Sequence, residues 1–280
     1  NGQDIRLIYK NSHCWSSLKK EAHLCDYSED ENTRRFTKFI DNLVHINSIA
    51  YLKFIQKVMN NNGVVVYNND SDFEKTYAVM LYYSLYGDTI DKIGAKSIEE
   101  ALKRMKDYPI FRSEIIELTD YLISHLETKT FPVGEGMPAS LEQYGCYTRE
   151  EIFTIFGRQT AVNTMRGQVA GVVKIDELNT ELFFVTLNKS DKDFSAETMY
   201  NDYVVSENEF RWESQNKDSH QGTGRRFVEQ AANGKKFLLF VRENKKDGYG
   251  NTCPFICFGL VNYICSKDDK PMKINWQTHQ

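Results

Sequence analysis

The sequence has few of the residues that mark secreted, metal-bound or membrane-spanning chains. Only five of its 280 residues are proline and six are cysteine, and the cysteines form no Cys-x-x-Cys pair. A zinc site with the usual ligand spacing is therefore not expected. No stretch approaches the roughly 18 consecutive apolar residues that a membrane-spanning helix needs. The chain starts at Asn1 without a basic-then-apolar leader, so we expect a cytoplasmic fragment of a longer protein that keeps its thiols reduced.

Neither sign of charge is in large excess. The chain has 35 basic and 39 acidic residues, a net charge of −4. Residues 1–145 contain 17 basic and 21 acidic residues, and residues 146–280 contain 18 of each. These numbers argue against a sequence-independent attraction to nucleic acid over the entire surface. A local basic surface stays open, and the second half is the better place to look for it.

The common catalytic signatures are absent as well. The sequence has no Gly-rich phosphate loop ending in Gly-Lys-Ser or Gly-Lys-Thr, no GxSxG turn and no HExxH helix. Catalysis by a Cys/His pair is not supported, because His220 is the only interior histidine of the second half. The chemistry must therefore be sought in less regular groupings of side chains.

The first 130 residues predict a bundle of amphipathic helices. Apolar residues recur at spacings of three and four, as expected for helices that bury one face. Ser97 and Glu100 have the spacing of a capping box, and Pro109 is expected to end the helix that they begin. Stacked helices of this kind form a bundle. The predicted helices span 36–58, 71–87, 97–108 and 113–127.

Residues 131–145 interrupt this pattern. They hold two prolines and three glycines and lack periodicity, so we place a linker there, between a helical connector domain at 1–130 and a second domain at 146–280. The second domain begins with a short helix, capped by Thr148 and Glu151, and is then rich in strand-forming residues. The chain is expected to be α+β: an N-terminal helical bundle, then a curved β-sheet or partial barrel with a few helices. The predicted strands span 171–175, 181–187, 202–206, 209–214, 236–242 and 254–264. A helix is predicted over 222–234, between the fourth and fifth of these strands.

The densest grouping of polar and aromatic residues lies in the middle of the second domain. If its two segments are extended, every second side chain in each segment points to the same face. The side chains on that face are those of Tyr200, Asp202, Phe210, Trp212 and Ser214. Such a set fits a nucleobase that has been turned out of a duplex. Aromatic rings would hold the base, and a carboxylate would accept a hydrogen bond from the N4 amine of cytosine.

The same residues also fit an ordinary fold. Trp212 and Phe210 suit the core side of a strand, and Asp202 suits the cap of a turn. Gln215 suits a position where its amide satisfies buried backbone groups. The residues by themselves leave both interpretations open.

Four basic residues are candidates for contacts with phosphates. Arg225 and Arg226 follow Gly224 at the predicted start of a helix, where backbone N–H groups favour anions. Lys189 lies in the loop after a predicted strand, and Arg211 belongs to the aromatic grouping itself.

A nuclease is the alternative from another class of protein. Glu243 and Lys245 form a Glu-x-Lys pair after the predicted strand 236–242. With an upstream acid such as Asp202 or Glu213, this pair would bind Mg²⁺ and activate water. The same loop is also a natural hairpin, because Asp-Gly supplies its turn. A protein-interaction module that does not contact DNA is a third alternative.

Several short motifs of the second domain occur in an order that resembles a known bacterial family. That family, formally of unknown function, is found at the C-terminus of superfamily-two helicase proteins. The helical lead-in and the abundance of Asn, Lys, Ile and Tyr are similar to SauUSI-like type IV restriction enzymes. Those enzymes join a phospholipase-D-like nuclease, a helicase motor and this C-terminal region. The motifs are at 186–189, 200–203, 210–215, 239–243 and 258–259.

The resemblance implies a reader of 5-methylcytosine, and of 5-hydroxymethylcytosine, in duplex DNA. Its fold would be similar to that of SRA (SET- and RING-associated) domains, which flip the modified base into an aromatic pocket. We expect a binding module without turnover, cofactor or metal, whose partners are modified DNA and the helicase and nuclease domains of the same parent chain. Our assignment of its base pocket is Tyr200, Asp202, Tyr203, Trp212, Ser214 and Gln215, and that of its phosphate contacts is Lys189, Arg211, Arg225 and Arg226.

Overall fold

The computed structural model of the chain describes residues 4–9, 12–68, 72–134, 136–188, 203–206 and 208–278. N-terminal helices are followed by a mixed β-sheet with a few helices, which confirms the predicted α+β class. Over the described strands, the sheet does not close into a barrel. The chain forms two compact units: a helical unit (1–132, 138–141 and 145–167) and a sheet unit (133–137, 142–144 and 168–280).

The helical unit packs around a core that is rich in aromatic rings. Tyr82 and Tyr86 are fully buried, and their rings stack with centroids 5.4 Å apart. None of the helices in the described ranges has the length and apolar character that crossing a membrane requires. The helices described in this unit are α1 (Trp15–Glu21), α2 (Glu31–Phe39), α3 (Ile49–Asn60), α4 (Asp72–Tyr86), α5 (Ile98–Lys103), α6 (Pro109–Ser124) and α7 (Arg149–Ile155).

The helix predicted over 36–58 is broken into two. α2 ends at Phe39, a single 3-10 turn follows, and α3 begins after Ser48, whose hydroxyl caps its first turn. Ile40 and Leu43, in the 3-10 turn, are fully buried. Apolar spacing therefore continues across the break, and only the N-cap residue marks it.

Residues 145–167 pack with the helices, although the sequence analysis placed everything after residue 145 in the second domain. His45 Nε2 lies 2.7 Å from Glu151 Oε2, on α7. The Tyr83 hydroxyl donates to the carbonyl of Thr160 at 2.7 Å. The position of α7 is decided by contacts between residues that are distant in sequence. A domain boundary predicted from composition cannot take such contacts into account.

The sheet unit is organised around one mixed sheet of strand order β4-β5-β8-β9-β10-β7-β6. β5 and β8 are parallel, and the other neighbouring strands in this order are antiparallel. Two short helices, α8 (Arg225–Val228) and α9 (Gln230–Asn233), precede β8. The described strands are β1 (Phe131–Pro132), β2 (Glu142–Gln143), β3 (Cys146–Tyr147), β4 (Val172–Ile175), β5 (Thr180–Asn188), β6 (Tyr203–Ser206), β7 (Glu209–Glu213), β8 (Lys236–Asn244), β9 (Phe255–Lys267) and β10 (Lys273–Thr278).

The sheet curls around a core of aromatic side chains. β5 and β7 are four strand spacings apart in the sheet order, which is roughly 19 Å in a flat sheet. The rings of Phe183 on β5 and Trp212 on β7 nevertheless stack with centroids 4.5 Å apart. Phe227 of α8 and Trp276 of β10 belong to the same buried cluster. The predicted curvature of the sheet is therefore present, and it gives the sheet unit an end at which several loops converge.

Candidate functional site: a basic rim at one end of the curled sheet

Two loops meet at the end of the sheet where β7 and β9 finish and β10 begins. We call residues 214–225 and 266–273 together the basic rim. They contain five basic and three acidic residues, a net charge of +2 on a chain of net charge −4. The side chains of Lys217, Lys267 and Lys270 are exposed. The rim is therefore a local positive surface, which the overall charge of the chain conceals.

Backbone hydrogen bonds hold the two loops together. The N–H of Ser214 donates to the carbonyl of Met272 at 2.9 Å, and the hydroxyl of Ser214 accepts from the N–H of Met272 at 3.0 Å. The N–H of Lys270 donates to the carbonyl of Asp218 at 2.9 Å. Ser214 is fully buried between the loops. The two loops thus present their charges from one fixed surface.

His220 adds a second set of bonds between the loops. The His220 backbone N–H donates to Asp269 Oδ1 at 2.7 Å, and Nδ1 of the ring lies 2.9 Å from the same oxygen. On the other side of the ring, Nε2 lies 2.7 Å from the Ser266 hydroxyl oxygen. The bonds from His220 hold the pKa of Asp269 below its usual range, so this carboxylate is ionised at neutral pH.

Three cations surround Asp268 at the turn of the rim. The Lys273 ammonium lies 2.9 Å from this carboxylate and is the main reason that its pKa is low. The charges of Lys267 and Arg211 act in the same direction. Arg211, predicted as a phosphate contact, therefore lies close to the rim, on the face of β7 opposite the core residues Phe210 and Trp212.

Arg226 points into a buried network of charges. Its Nε lies 2.9 and 3.1 Å from the two carboxylate oxygens of Glu181, and its Nη1 lies 3.2 Å from Asp218 Oδ1. Both carboxylates are 0% exposed. Lys235 approaches Glu181 at 3.4 Å. Arg226, one of the two arginines predicted to contact phosphates at this helix start, therefore neutralises two buried acids. One of them, Asp218, belongs to the rim, so this ion pair also stabilises the rim.

Arg225 differs from Arg226 in being exposed. Its side chain is 67% exposed and forms an ion pair with Glu229, one turn further along, at 2.6 Å. Gln215, from the predicted base pocket, is half-buried on the rim, and its carbonyl accepts from the N–H of Asp218. Arg225 and Gln215 are the members of the predicted site that the described rim presents towards solvent.

Trp212 is part of the core. Its side chain is only 5% exposed, and it packs against Phe183, Phe227 and Trp276. Phe210 is buried in the same cluster. The sequence left two roles open for Trp212, and the structure shows the core one. The ring is too buried to stack on a nucleobase. Trp212 and the buried Ser214 support the site from inside.

Three predicted site residues, Lys189, Tyr200 and Asp202, lie outside the described residues. Tyr203 begins β6 and is in register with Arg211 on β7. The chain therefore enters β6 near the rim, and Asp202 directly precedes that point in sequence.

The residues of the nuclease alternative do not all come together. Glu243 is near the end of β8, and Glu213 ends β7. Because β7 and β8 run in opposite directions, these two residues lie at opposite ends of the sheet. In the described ranges, no group of three or more His, Cys, Asp and Glu side chains is placed to hold a metal ion. The pairing of Glu243 and Lys245 with Asp202 lies outside the described residues.

The lysines of the rim and the buried acids were missed by the sequence analysis. Lys217, Lys267, Lys270, Glu181 and Asp218 come from separate parts of the chain and share no motif. The cluster of mixed charges at 267–273 was a local signal, but such clusters usually mark a solvated turn.

A comparison with curated proteins found no match. Residues 141–279 match the family described as "Domain of unknown function (DUF3427)". The matched segment includes α7, which packs in the helical unit, and β4–β10 of the curled sheet. The chain therefore contains a DUF3427 domain at residues 141–279, and the curled sheet and its basic rim lie within that domain.

Proposed function

We propose that this chain is the target-recognition module of an ATP-dependent type IV restriction enzyme. In this proposal the sheet unit binds duplex DNA that contains 5-methylcytosine or 5-hydroxymethylcytosine and flips the modified base out of the helix. The observation that carries the DNA-binding part is the basic rim, a fixed positive surface on an otherwise acidic chain. The curled sheet supports the proposal further, since it is the kind of architecture that the family resemblance implies.

The rim supplies the phosphate contacts. Lys217, Lys267 and Lys270 are exposed, and Arg225 lies at the edge of the same surface. Contacts of this kind position a duplex and provide affinity without reading its sequence. Arg226 has a different task in this proposal, because its guanidinium already faces Glu181 and Asp218.

The base contacts come from the first residue of β6 and the residues that precede it. Asp202 is the proposed reader of the Watson–Crick edge, and Tyr200 and Tyr203 are the proposed stacking side chains. Trp212 holds the sheet beneath them and does not touch the base. Flipping a base costs a few kcal/mol, which stacking and the hydrogen bonds to its edge must offset.

The helical unit connects this reader to the rest of the parent chain. We propose that its partners are the helicase and nuclease domains of the same polypeptide, and that the module itself does not cut DNA. A cytoplasmic location fits the six cysteines, all of which are free thiols.

The test is a fluorescence titration of the full chain with matched duplexes at one fixed salt concentration. We expect the methylated duplex to bind about 10-fold more tightly than the unmodified one, which is the size of one good base contact. Asp202→Asn should remove this preference and leave the affinity for unmodified DNA unchanged. Trp212→Ala is unsuitable as a test, because it would open a cavity in the core.

The rival functions predict different outcomes in the same preparation. Equal affinity for the two duplexes would disprove recognition of the modification. Cleavage of the duplex in the presence of Mg²⁺, lost in Glu243→Gln, would support the nuclease. Separate elution of chain and DNA in gel filtration would support the protein-interaction module.

A further inference from the structure

The side chains of Ser266, His220 and Asp269 are hydrogen-bonded in the same order as those of a catalytic triad. Ser266 Oγ is 2.7 Å from His220 Nε2, and Asp269 Oδ1 is 2.9 Å from His220 Nδ1. A hydroxyl on one ring nitrogen and a carboxylate on the other is the arrangement that activates a serine nucleophile. The three residues belong to the basic rim, Ser266 at the end of β9 and the other two in its loops, and the proposed DNA recognition makes no use of this arrangement.

A β-bulge in β9 places the hydroxyl. The register with β10 shifts between Tyr263 and Cys265, so Ile264 is an extra residue in β9. The extra residue brings Tyr263 and Ser266 to the same side of the strand, and their hydroxyl oxygens are 2.7 Å apart. Bulges re-aim side chains in this way beside active sites.

The chemistry of these groups indicates which atom donates in each hydrogen bond of the Ser266, His220 and Asp269 group. Asp269 is an ionised acceptor, so His220 Nδ1 carries the proton that lies between them. His220 Nε2 is then the acceptor for the hydroxyl proton of Ser266. Ser266 Oγ can in turn accept from the Tyr263 hydroxyl. In this assignment the Ser266 hydroxyl donates to the base that would remove its proton.

The site is open to a ligand from solvent. The side chain of His220 is 34% exposed and that of Asp269 is 51% exposed. Ser266 is half-buried, and Lys267 and Lys270 are exposed on the same loop. These two cations favour a substrate that carries negative charge.

We propose that Ser266 and His220 hydrolyse carboxylic esters that carry a negative charge, with Asp269 as the positioning residue. The inference goes beyond the proposed DNA-binding function and does not depend on it. Ser266 Oγ forms a bond to the carbonyl carbon as its proton moves to His220 Nε2. The carbon–oxygen bond to the alcohol then breaks, and Nε2 gives its proton to the departing alcohol oxygen.

Water completes the cycle. His220 Nε2 takes a proton from water, the resulting hydroxide attacks the acyl carbon, and the bond to Ser266 Oγ breaks. Ser266 Oγ takes the proton back from Nε2. The net change is ester plus water to acid plus alcohol, with no oxidant or metal required. Tyr263, whose hydroxyl oxygen lies 2.7 Å from Ser266 Oγ, is the proposed hydrogen-bond donor to the oxyanion of the tetrahedral intermediate.

The test uses the full chain with a fluorophosphonate probe and with two chromogenic esters, the anionic 4-acetoxy-3-nitrobenzoate and the neutral p-nitrophenyl acetate, of which the anionic ester should be hydrolysed faster. We expect one covalent adduct, located by peptide mass spectrometry at Ser266, and slow ester hydrolysis. Ser266→Ala should abolish both, and His220→Gln should lower both at least 10-fold. Ser206→Ala, which changes an exposed serine on β6, is the matched control and should change neither.

Chemical rescue separates catalysis from a structural role. Added imidazole should restore labelling of Ser266 in His220→Ala, because the free base can take the hydroxyl proton, whereas a structural defect would not respond to it. Asp269→Asn should lower labelling, because it weakens the bond that orients His220. Circular dichroism of each variant confirms that it is folded. An absent adduct in the folded wild type, or labelling that is unchanged in His220→Gln, would overturn the proposal. DNA titration of Ser266→Ala reports separately on the reader, so the two proposals can fail independently.

Discussion

At the residue scale, neighbours in sequence have opposite roles. Arg225 and Arg226 look equivalent along the chain, but Arg225 is 67% exposed, and Arg226 is 18% exposed and faces two buried carboxylates. Trp212 and Arg211 point to opposite faces of β7, one into the core and one towards the rim. Burial decides these roles, because a charge without water must find a partner inside the protein.

Arg226→Ala should destabilise the sheet unit by about 3–5 kcal/mol, because the buried Asp218 would lose its ion pair and Glu181 would keep only Lys235 of its two cations. The matched change Arg225→Ala should cost less than about 1 kcal/mol, since exposed ion pairs contribute little. Urea unfolding followed by tryptophan fluorescence measures both values. Similar losses in the two variants would contradict the assigned roles.

At the element scale, caps and bulges set the boundaries that apolar periodicity does not. The helix predicted before Pro109 does end before it, since α5 and the 3-10 turn after it stop at Asp107. Pro109 itself occupies the first position of α6, where its fixed φ angle and missing N–H are tolerated. β10 was not predicted at all, although it carries the fully buried Ile274 and Trp276. The bulge at Ile264 in β9 is likewise invisible without the register of the partner strand.

α7 is held in the helical unit by an ion pair with an expected pH dependence. Burial alone would lower the pKa of His45, but the charge and hydrogen bond of Glu151, with the charge of Asp41, raise it overall. Burial raises the pKa of Asp41 to about 6. Both pKa values exceed those of the unfolded chain. Stability from both groups is therefore present at low pH and is lost as pH rises through the folded-state values.

We therefore expect the free energy of unfolding of the helical unit to fall as the pH rises from about 4 to above about 6.5, the unperturbed values of the two side chains. His45→Gln should remove the part of this fall above about pH 6.5. Chemical denaturation at several pH values, followed by circular dichroism, measures it. A flat profile in the wild type would refute the assignment.

At the scale of the whole molecule, charge is distributed unevenly. The net charge of −4 and the equal numbers of acids and bases in residues 146–280 hide a rim of net charge +2. Two of the three acids of the rim are occupied by partners within it, Asp268 by Lys273 and Asp269 by His220. Asp218, the third acid, is buried beside Arg226. Without this buried carboxylate, whose charge Arg226 compensates, the rim contains five basic and two acidic residues.

The double variant Lys267→Ala/Lys270→Ala should weaken binding of methylated and unmodified duplexes to the same extent. Each phosphate contact contributes about 0.9 to the slope of log affinity against log salt concentration, so the slope should become shallower by about 2. Titrations at several salt concentrations measure it. Lys246→Ala, at the opposite end of the sheet, is the control and should keep the wild-type slope. A slope that is unchanged in the double variant would remove the rim from the DNA interface.

The sequence by itself determined the fold class, most strands and the curvature of the sheet, because these follow from local patterns of apolar and strand-forming residues. Three of the residues that it proposed for a site, Ser214, Gln215 and Arg225, belong to the basic rim. Only the tertiary structure decided that Trp212 and Arg226 serve the interior, that α7 packs with the helices, and that Ser266, His220 and Asp269 meet. Each of these depends on contacts between residues far apart in sequence, and local patterns do not contain that information.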